Sequence, residues 1–434
     1  MTFTRRSIAL TVGSALAVIA VACSGSDTQA RPAAQPAPAA AAPAPPTAAS
    51  PSPTPTAAQP APPPAAPAAP PAAAAEGAFA WEIDDVGSGT KPALALTSDN
   101  VPYVAFMLED QRGFVKNAIL SGGTWDVTTV AEGYFYGPLD LAIGPDDVPH
   151  ISYHDHQELR FNPDKGDATH AILDNGKWTV DTLFDKGHDG WDNRIVIDAG
   201  GRPHISAIDP KEFGGNGVEY YHQDESGEWV VEGVGTGPMT YKYATSVAID
   251  PEGNAHITYY DQNDNDLALA SRSSSGDWEI SKVDTEGDTG LFASLVIEEG
   301  GRFYISYLQK TSETSGVIKY ATKAASDTGW EITEIDTLSK LTFGMTGARN
   351  ITSVVVDGAG NPWIAYSDEK LIKLAVWNGS AWEISTAVDA GPKTLGQLVS
   401  LKLDSEDQPH IAYFIVTNKG PLEGEVKYAK GTPR

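Results

Sequence analysis

One phrase is written seven times along this chain. DPEGNAHITYYD runs from Asp250 to Asp261, and its variants are SDNVPYVAFM (98–107), GPDDVPHISYHD (144–155), DAGGRPHISAID (198–209), EEGGRFYISYLQ (298–309), DGAGNPWIAYSD (357–368) and DSEDQPHIAYFI (404–415). The residue after each turn falls at Pro102, Pro149, Pro203, Ala255, Phe303, Pro362 and Pro409, about 50 residues apart. A chain that repeats at this interval is an array of equivalent units, and its fold must stack them.

Each unit holds four short alternating apolar runs parted by turn residues, a strand pattern. In the fourth, TSVAID (245–250) leads through PEGN to AHITYYD (255–261), then LALASRS (267–273) and DWEISKVD (277–284). Four antiparallel strands repeated in this way make the blade of a β-propeller. Trp125, Trp178, Trp229, Trp278, Trp330 and Trp382 each open a fourth strand. A further tryptophan, Trp81, precedes the first complete unit, and the last unit stops one strand short at Arg434. The pattern therefore predicts an all-β, seven-bladed propeller over 79–434, with residues 79–87 supplying the outer strand of the last blade. This resembles the closure of circular propellers.

The repeated His150, His204, His256 and His410 are replaced elsewhere by Tyr103, Tyr304 and Trp363, an exchange that suits packing between blades and not metal ligation. Residues outside the repeat are the better functional candidates. His154 and His156 flank Asp155 in what reads as a loop after the second strand, a possible cation site. DQNDND (261–266) offers Asp261, Asp264 and Asp266 for weak calcium binding, without the glycine and distal glutamate of an EF-hand. The connections from a fourth strand to the next first strand converge on one channel mouth. They carry Tyr134, Tyr136, His188, Trp191, Asp192, Arg194, Tyr241, Phe292, Phe343 and Arg349, a mixture of aromatic faces and charged groups suited to a sugar or a peptide. The alternative is that these aromatics plug the channel. A glycosidase pair drawn from Asp189, Asp192, Asp140 and Asp288 is the enzymatic alternative.

The N-terminus is of another kind. Arg5 and Arg6 precede an apolar run, Ile8 to Ala22, too short to span a bilayer and typical of an export signal. IAVAC resembles the lipobox of bacterial lipoproteins, with Ala20 where leucine is usual. The resemblance implies a signal over 1–22 and lipidation of Cys23, the only cysteine in the chain. TRRSIAL also resembles a twin-arginine export motif. Residues 23–78 are rich in Ala and Pro and are expected to form a disordered tether. The expected location is the cell envelope, anchored through Cys23, or a secreted form.

Composition narrows the partners. Only Asp27 and Arg5, Arg6 and Arg31 are charged before Glu76, so the remainder carries 56 acids against 27 Lys and Arg, a net −29. Such a domain repels nucleic acid and leaves neutral glycans, basic proteins and cations as partners.

The repeats resemble those of bacterial and archaeal surface propellers that mostly have no assigned activity. Turns such as DNGKW (174–178) are similar to the Asp boxes of sialidases, but of the arginine triad that chemistry needs only Arg194 and Arg349 lie at mouth positions, which does not support it. Taken with the mouth residues, the expectation is a monomeric, envelope-anchored propeller that binds a glycan, a peptide or an envelope protein, without a catalytic set or an obligatory cofactor. A polysaccharide hydrolase or lyase and a purely structural surface protein are the alternatives.

Overall fold

The computed structural model describes residues 78–434 apart from 109–112, 157–165, 184–188, 211–214, 238, 240–243, 342–350 and 420–421. Cys23, the export signal and nearly all of the tether fall outside the described residues. Among the described residues, twenty-eight strands form seven four-stranded antiparallel sheets. Blades 1 to 6 occupy 90–133, 135–182, 191–233, 246–284, 288–338 and 352–389. Blade 7 takes three strands from 394–433 and its outer strand from Phe79–Ser88, which pairs Phe79 with Pro433 and Ser88 with Glu425. The predicted ring closure is the observed one, a residue longer. The first strand of each blade lines a central channel.

The recurring phrase has a hydrogen-bonding cause. Asp250 Oδ1 accepts the Asn254 amide at 2.7 Å, which closes the turn between the first and second strands. Its Oδ2 meets His256 Nε2 at 2.9 Å, and His256 Nδ1 meets Ser271 Oγ on the third strand at 2.9 Å. One imidazole thus ties turn, second strand and third strand together. Asp404 and His410 repeat the contact at 3.2 Å and Asp198 and His204 at 3.3 Å. In other blades Tyr304 donates to Glu298 at 2.8 Å and Trp363 Nε1 donates to Asp357 at 3.1 Å. The position asks for a ring with a polar tip, so His, Tyr and Trp interchange. Blade 2 has Gly144 in place of the acid, and there His150 Nδ1 pairs with His170 Nε2 at 2.9 Å.

Two further devices join blade to blade. The outer-strand tryptophans pack on the third strand of the preceding blade: Trp125 on Tyr428 at 5.2 Å, Trp229 on His170 at 5.2 Å, Trp278 on Tyr220 at 5.4 Å and Trp382 on Tyr320 at 5.2 Å between ring centroids. Along the channel, a serine of the first strand in four blades caps an amide of the next. Ser246 accepts from Leu295 at 3.0 Å, Ser294 from Val354 at 3.2 Å, Ser353 from Leu401 at 3.1 Å and Ser400 from Leu94 at 3.1 Å. The equivalent residues in blades 1, 2 and 3 are Ala93, Asp140 and Arg194, each paired with the same position of the second strand. The second-strand aromatics Tyr153, Tyr259, Tyr307, Tyr366 and Tyr413 are fully buried between blades. Each such side chain contributes roughly 1.5–3 kcal/mol of burial to the stack.

Candidate functional site

Three of the predicted mouth loops are shorter than the sequence suggests, because first strands begin inside them. These strands are Phe135–Ile143 in blade 2, Trp191–Ile197 in blade 3 and Asp288–Ile297 in blade 5. Each opens with a bulge, where the register shifts between Tyr136 and Asp140, Trp191 and Arg194, and Leu291 and Ser294. The extra residue sits in the left-handed region at Gly137 (φ 73°), Asp192 (φ 53°) and Phe292 (φ 56°). A bulge re-aims the side chains beside it, and here it turns them into the wall. Trp191, Asp192 and Phe292 are buried. Phe292 lies in an apolar cluster with Tyr260, Leu291 and Leu308, so it packs within the wall and does not form an open platform.

Trp191 has a more specific setting. Its ring lies 4.5 Å from that of His154 at an angle of 34°, and His156 meets it edge-on at 5.8 Å. The stretch His154–His156, expected as a surface loop, is therefore part of the packed wall. His154 belongs to the second strand Pro149–Asp155, and both imidazoles are buried. His154 Nδ1 donates to the Asp189 carbonyl at 2.8 Å, while the His156 amide donates to the carbonyl of half-buried Tyr134 at 2.8 Å. Among the described residues no group of three or more His, Cys, Asp or Glu side chains is placed to hold a metal ion.

The wall behind Trp191 is acidic. Asp189 is buried, with Oδ1 accepting the Ala168 amide at 3.0 Å. Gly190 (φ 78°) lies so close to Ala168 that a Cβ would stand 2.4 Å from its Cα, so this segment is threaded between strands. Burial first, then the facing Glu219 carboxylate, push Asp189 up to about 8. Burial and Asp209 push Glu219 up to about 7, although the Tyr221 hydroxyl donates to it at 2.5 Å. Sequence reasoning missed Glu219. The signal lay in the repeat, since the equivalent third-strand residue is Lys116, Lys319, Lys373 or Lys427 in blades 1, 5, 6 and 7. At the junction of blades 2 and 3, a carboxyl stands where four other blades place an ammonium, blades 2 and 4 having Thr169 and Ala268.

Arg194 and Asp140 lie side by side on the channel ring. The channel is a cavity of about 420 Å³ lined by Asp140, Arg194, Ser246, Ser294, Ser353 and Ser400, among others. Asp140 Oδ2 accepts the Ile195 amide at 3.1 Å, and Arg194 Nη1 donates to the Asn193 carbonyl at 2.7 Å. Asn193 is itself held, donating to the Gly190 carbonyl at 2.9 Å and accepting from Ser152 at 2.8 Å. A rigid frame therefore presents one guanidinium, one carboxylate and a circle of hydroxyls to a small polar space.

The remaining candidates fall elsewhere. Asp261, Asp264 and Asp266 converge on Lys282 Nζ at 2.5, 2.9 and 3.1 Å, so an ammonium stands where calcium was expected. Asp288 accepts the Tyr260 hydroxyl at 2.8 Å, away from Asp140 in blade 2. His188, Tyr241, Phe343 and Arg349, and the side chain of Tyr136, lie outside the described residues.

No family model matches the chain, and no curated protein is similar to it in sequence. Solved structures are similar in fold. A polysaccharide lyase, the ulvan lyase bound to a GlcA(1-4)Rha3S sugar, is 11% identical with a TM-score of 0.51, over 79% of this chain and 93% of its own. AofleA from Arthrobotrys oligospora is 14% identical with a TM-score of 0.47, over 73% and 92%. The Trypanosoma rangeli sialidase in complex with sialic acid is 11% identical with a TM-score of 0.39, over 80% and 54%. At these identities the likeness shows the fold alone.

Proposed function

We propose that this propeller binds an uncharged glycan, with one sugar unit or chain end entering the channel between blades 2 and 3. The observation that carries the reading is the break in the channel ring, where Asp140 and Arg194 replace the serine of four other blades and line the same cavity. Hydroxyls, a carboxylate and a guanidinium around a space of about 420 Å³ match the alternating donors and acceptors of a sugar ring. The net charge of −29 from residue 76 onward disfavours acidic polysaccharides. The ulvan lyase, of like fold, is seen with a sugar, which makes the architecture compatible with this use. A role as hydrolase draws less support, because Asp189 and Asp192 are buried behind the wall and only Asp140 of the candidate acids lines the cavity. In this reading a lipid on Cys23 and the Ala/Pro tether hold the binder at the cell envelope.

The test is a glycan-array screen of the full-length protein beside its Arg194→Met variant. Met keeps most of the side-chain volume and removes the donors, so affinity should fall at least about tenfold, the effect of losing a charge-assisted hydrogen bond. Circular dichroism of both proteins checks that the fold is retained.

A further inference from the structure

The rim of the channel at the short turns has a different character from its interior. There the turns between first and second strands form a ring, at 97–101, 144–148, 198–202, 250–254, 298–302, 357–361 and 404–408. Directly beneath each turn the first strand ends on an aliphatic residue that is only partly buried, from Leu96 in blade 1 to Leu403 in blade 7. Depressions of about 530, 590 and 370 Å³ lie between these turns, and the first two share Ile297 and Glu299 in their walls.

The rim above this apolar collar is acidic. The seven turns hold 12 Asp and Glu against two arginines, Arg202 and Arg302. Both arginines are engaged within their own turns, Arg202 with Asp198 at 2.8 Å and Arg302 with Glu298 at 3.9 Å. Turn chemistry explains only part of the acid. Asp198, Asp250, Asp357 and Asp404 each accept amides of their own turns. Asp147 and Asp407 reach across to neighbouring turns, taking the Ser98 amide at 2.7 Å and the Gly358 amide at 3.1 Å. Glu252, Glu299 and Glu406 are exposed, and Glu406 takes only the side-chain amide of Gln408, at 2.8 Å. An excess of carboxylates around a collar of half-buried aliphatic groups is a surface with two complementary demands.

We propose that this face docks a basic, amphipathic polypeptide segment of a partner protein. Lysine or arginine side chains of the segment meet the rim, and apolar side chains enter the depressions beneath it. The site adjoins the sugar cavity, since Leu96, Ile143, Ile197 and Leu403 line both the cavity and the depressions.

Fluorescence anisotropy on the full-length protein tests this with a labelled peptide of alternating lysine and leucine. Binding should weaken at least about tenfold in Glu252→Gln/Glu299→Gln/Glu406→Gln and fall steeply with added salt. It should be unchanged in Asp126→Asn/Glu279→Gln/Glu331→Gln, which removes equal charge from exposed outer-strand positions. A lysine–serine peptide of the same length should bind at least about tenfold more weakly, because it cannot fill the collar. Equal weakening by the two triple variants, equal binding of the two peptides, or no binding would each overturn the proposal.

Discussion

Glu219 shows how one side chain can reverse the logic of a repeated position. In blades 5 and 6 the equivalent lysines meet carboxylates, Lys319 with Asp284 at 2.8 Å and Lys373 with Asp336 at 2.7 Å. Glu219 instead faces Asp189, and both are raised by burial and by neighbouring acids, to about 7 and about 8. A raised carboxyl binds more protons folded than unfolded, so its stabilisation is complete at low pH and is lost as pH rises through the folded value. The paired His150 and His170 run the other way. Burial holds them down to about 4 and about 3, so their contribution is lost as pH falls from about 6.5 through those values. Glu219→Gln should therefore match the parent near pH 5 and exceed it in stability at pH 8.5 by about 1–3 kcal/mol, measured by urea unfolding at each pH. At this scale the sequence spoke partially. The exchange of His for Tyr and Trp revealed packing, but the acid that each ring bonds lies six residues earlier and shows only as a turn residue. Glu219 was hidden because the position it occupies is recognisable only after strand register is known.

Elements were more legible than their ends. The strand runs, the turns and the tryptophans that open the outer strands all follow from alternation. The starts of the first strands did not, because GDTGLF and GHDGWDNR contain the glycines and acids of a loop while their last residues form a bulged strand. A bulge spends one residue without advancing the register, and alternation cannot detect that. This is why Trp191, Asp192 and Phe292 read as mouth residues and are found in the wall. Between elements, the Lys319–Asp284 pair joins the third strand of blade 5 to the outer strand of blade 4, with the Tyr307 hydroxyl donating to the same carboxylate at 2.7 Å. Lys319 and Asp284 are both buried, so Lys319→Ala would strand a buried carboxylate. It should cost about 3–5 kcal/mol in chemical denaturation, and the double variant Lys319→Met/Asp284→Leu should recover most of that loss.

For the whole molecule, the count of blades and the closure were both readable, since an unpaired tryptophan at one end and a missing strand at the other can be resolved in one way. The turn clamps concentrate where the ring closes. Asn100 Nδ2 donates to Ser405 Oγ at 2.7 Å, Asp147 takes Ser98, and Asp407 takes Gly358, which ties blades 6, 7, 1 and 2. Phe79 adds a ring contact to Trp363 of blade 6 at 5.6 Å. Deleting 79–88 should leave blade 7 with an exposed edge, lower the melting temperature by about 10 °C or more and promote association on size-exclusion chromatography. Ligand identity was not legible at any scale, because a propeller fold hosts unrelated functions and only the ring break at Asp140 and Arg194 singles out a place. That place is tested most directly by the glycan array of full-length protein against Arg194→Met. A neutral-glycan hit that disappears in the folded variant is the predicted result. A blank array, or a hit that Arg194→Met leaves untouched, would contradict binding in the channel.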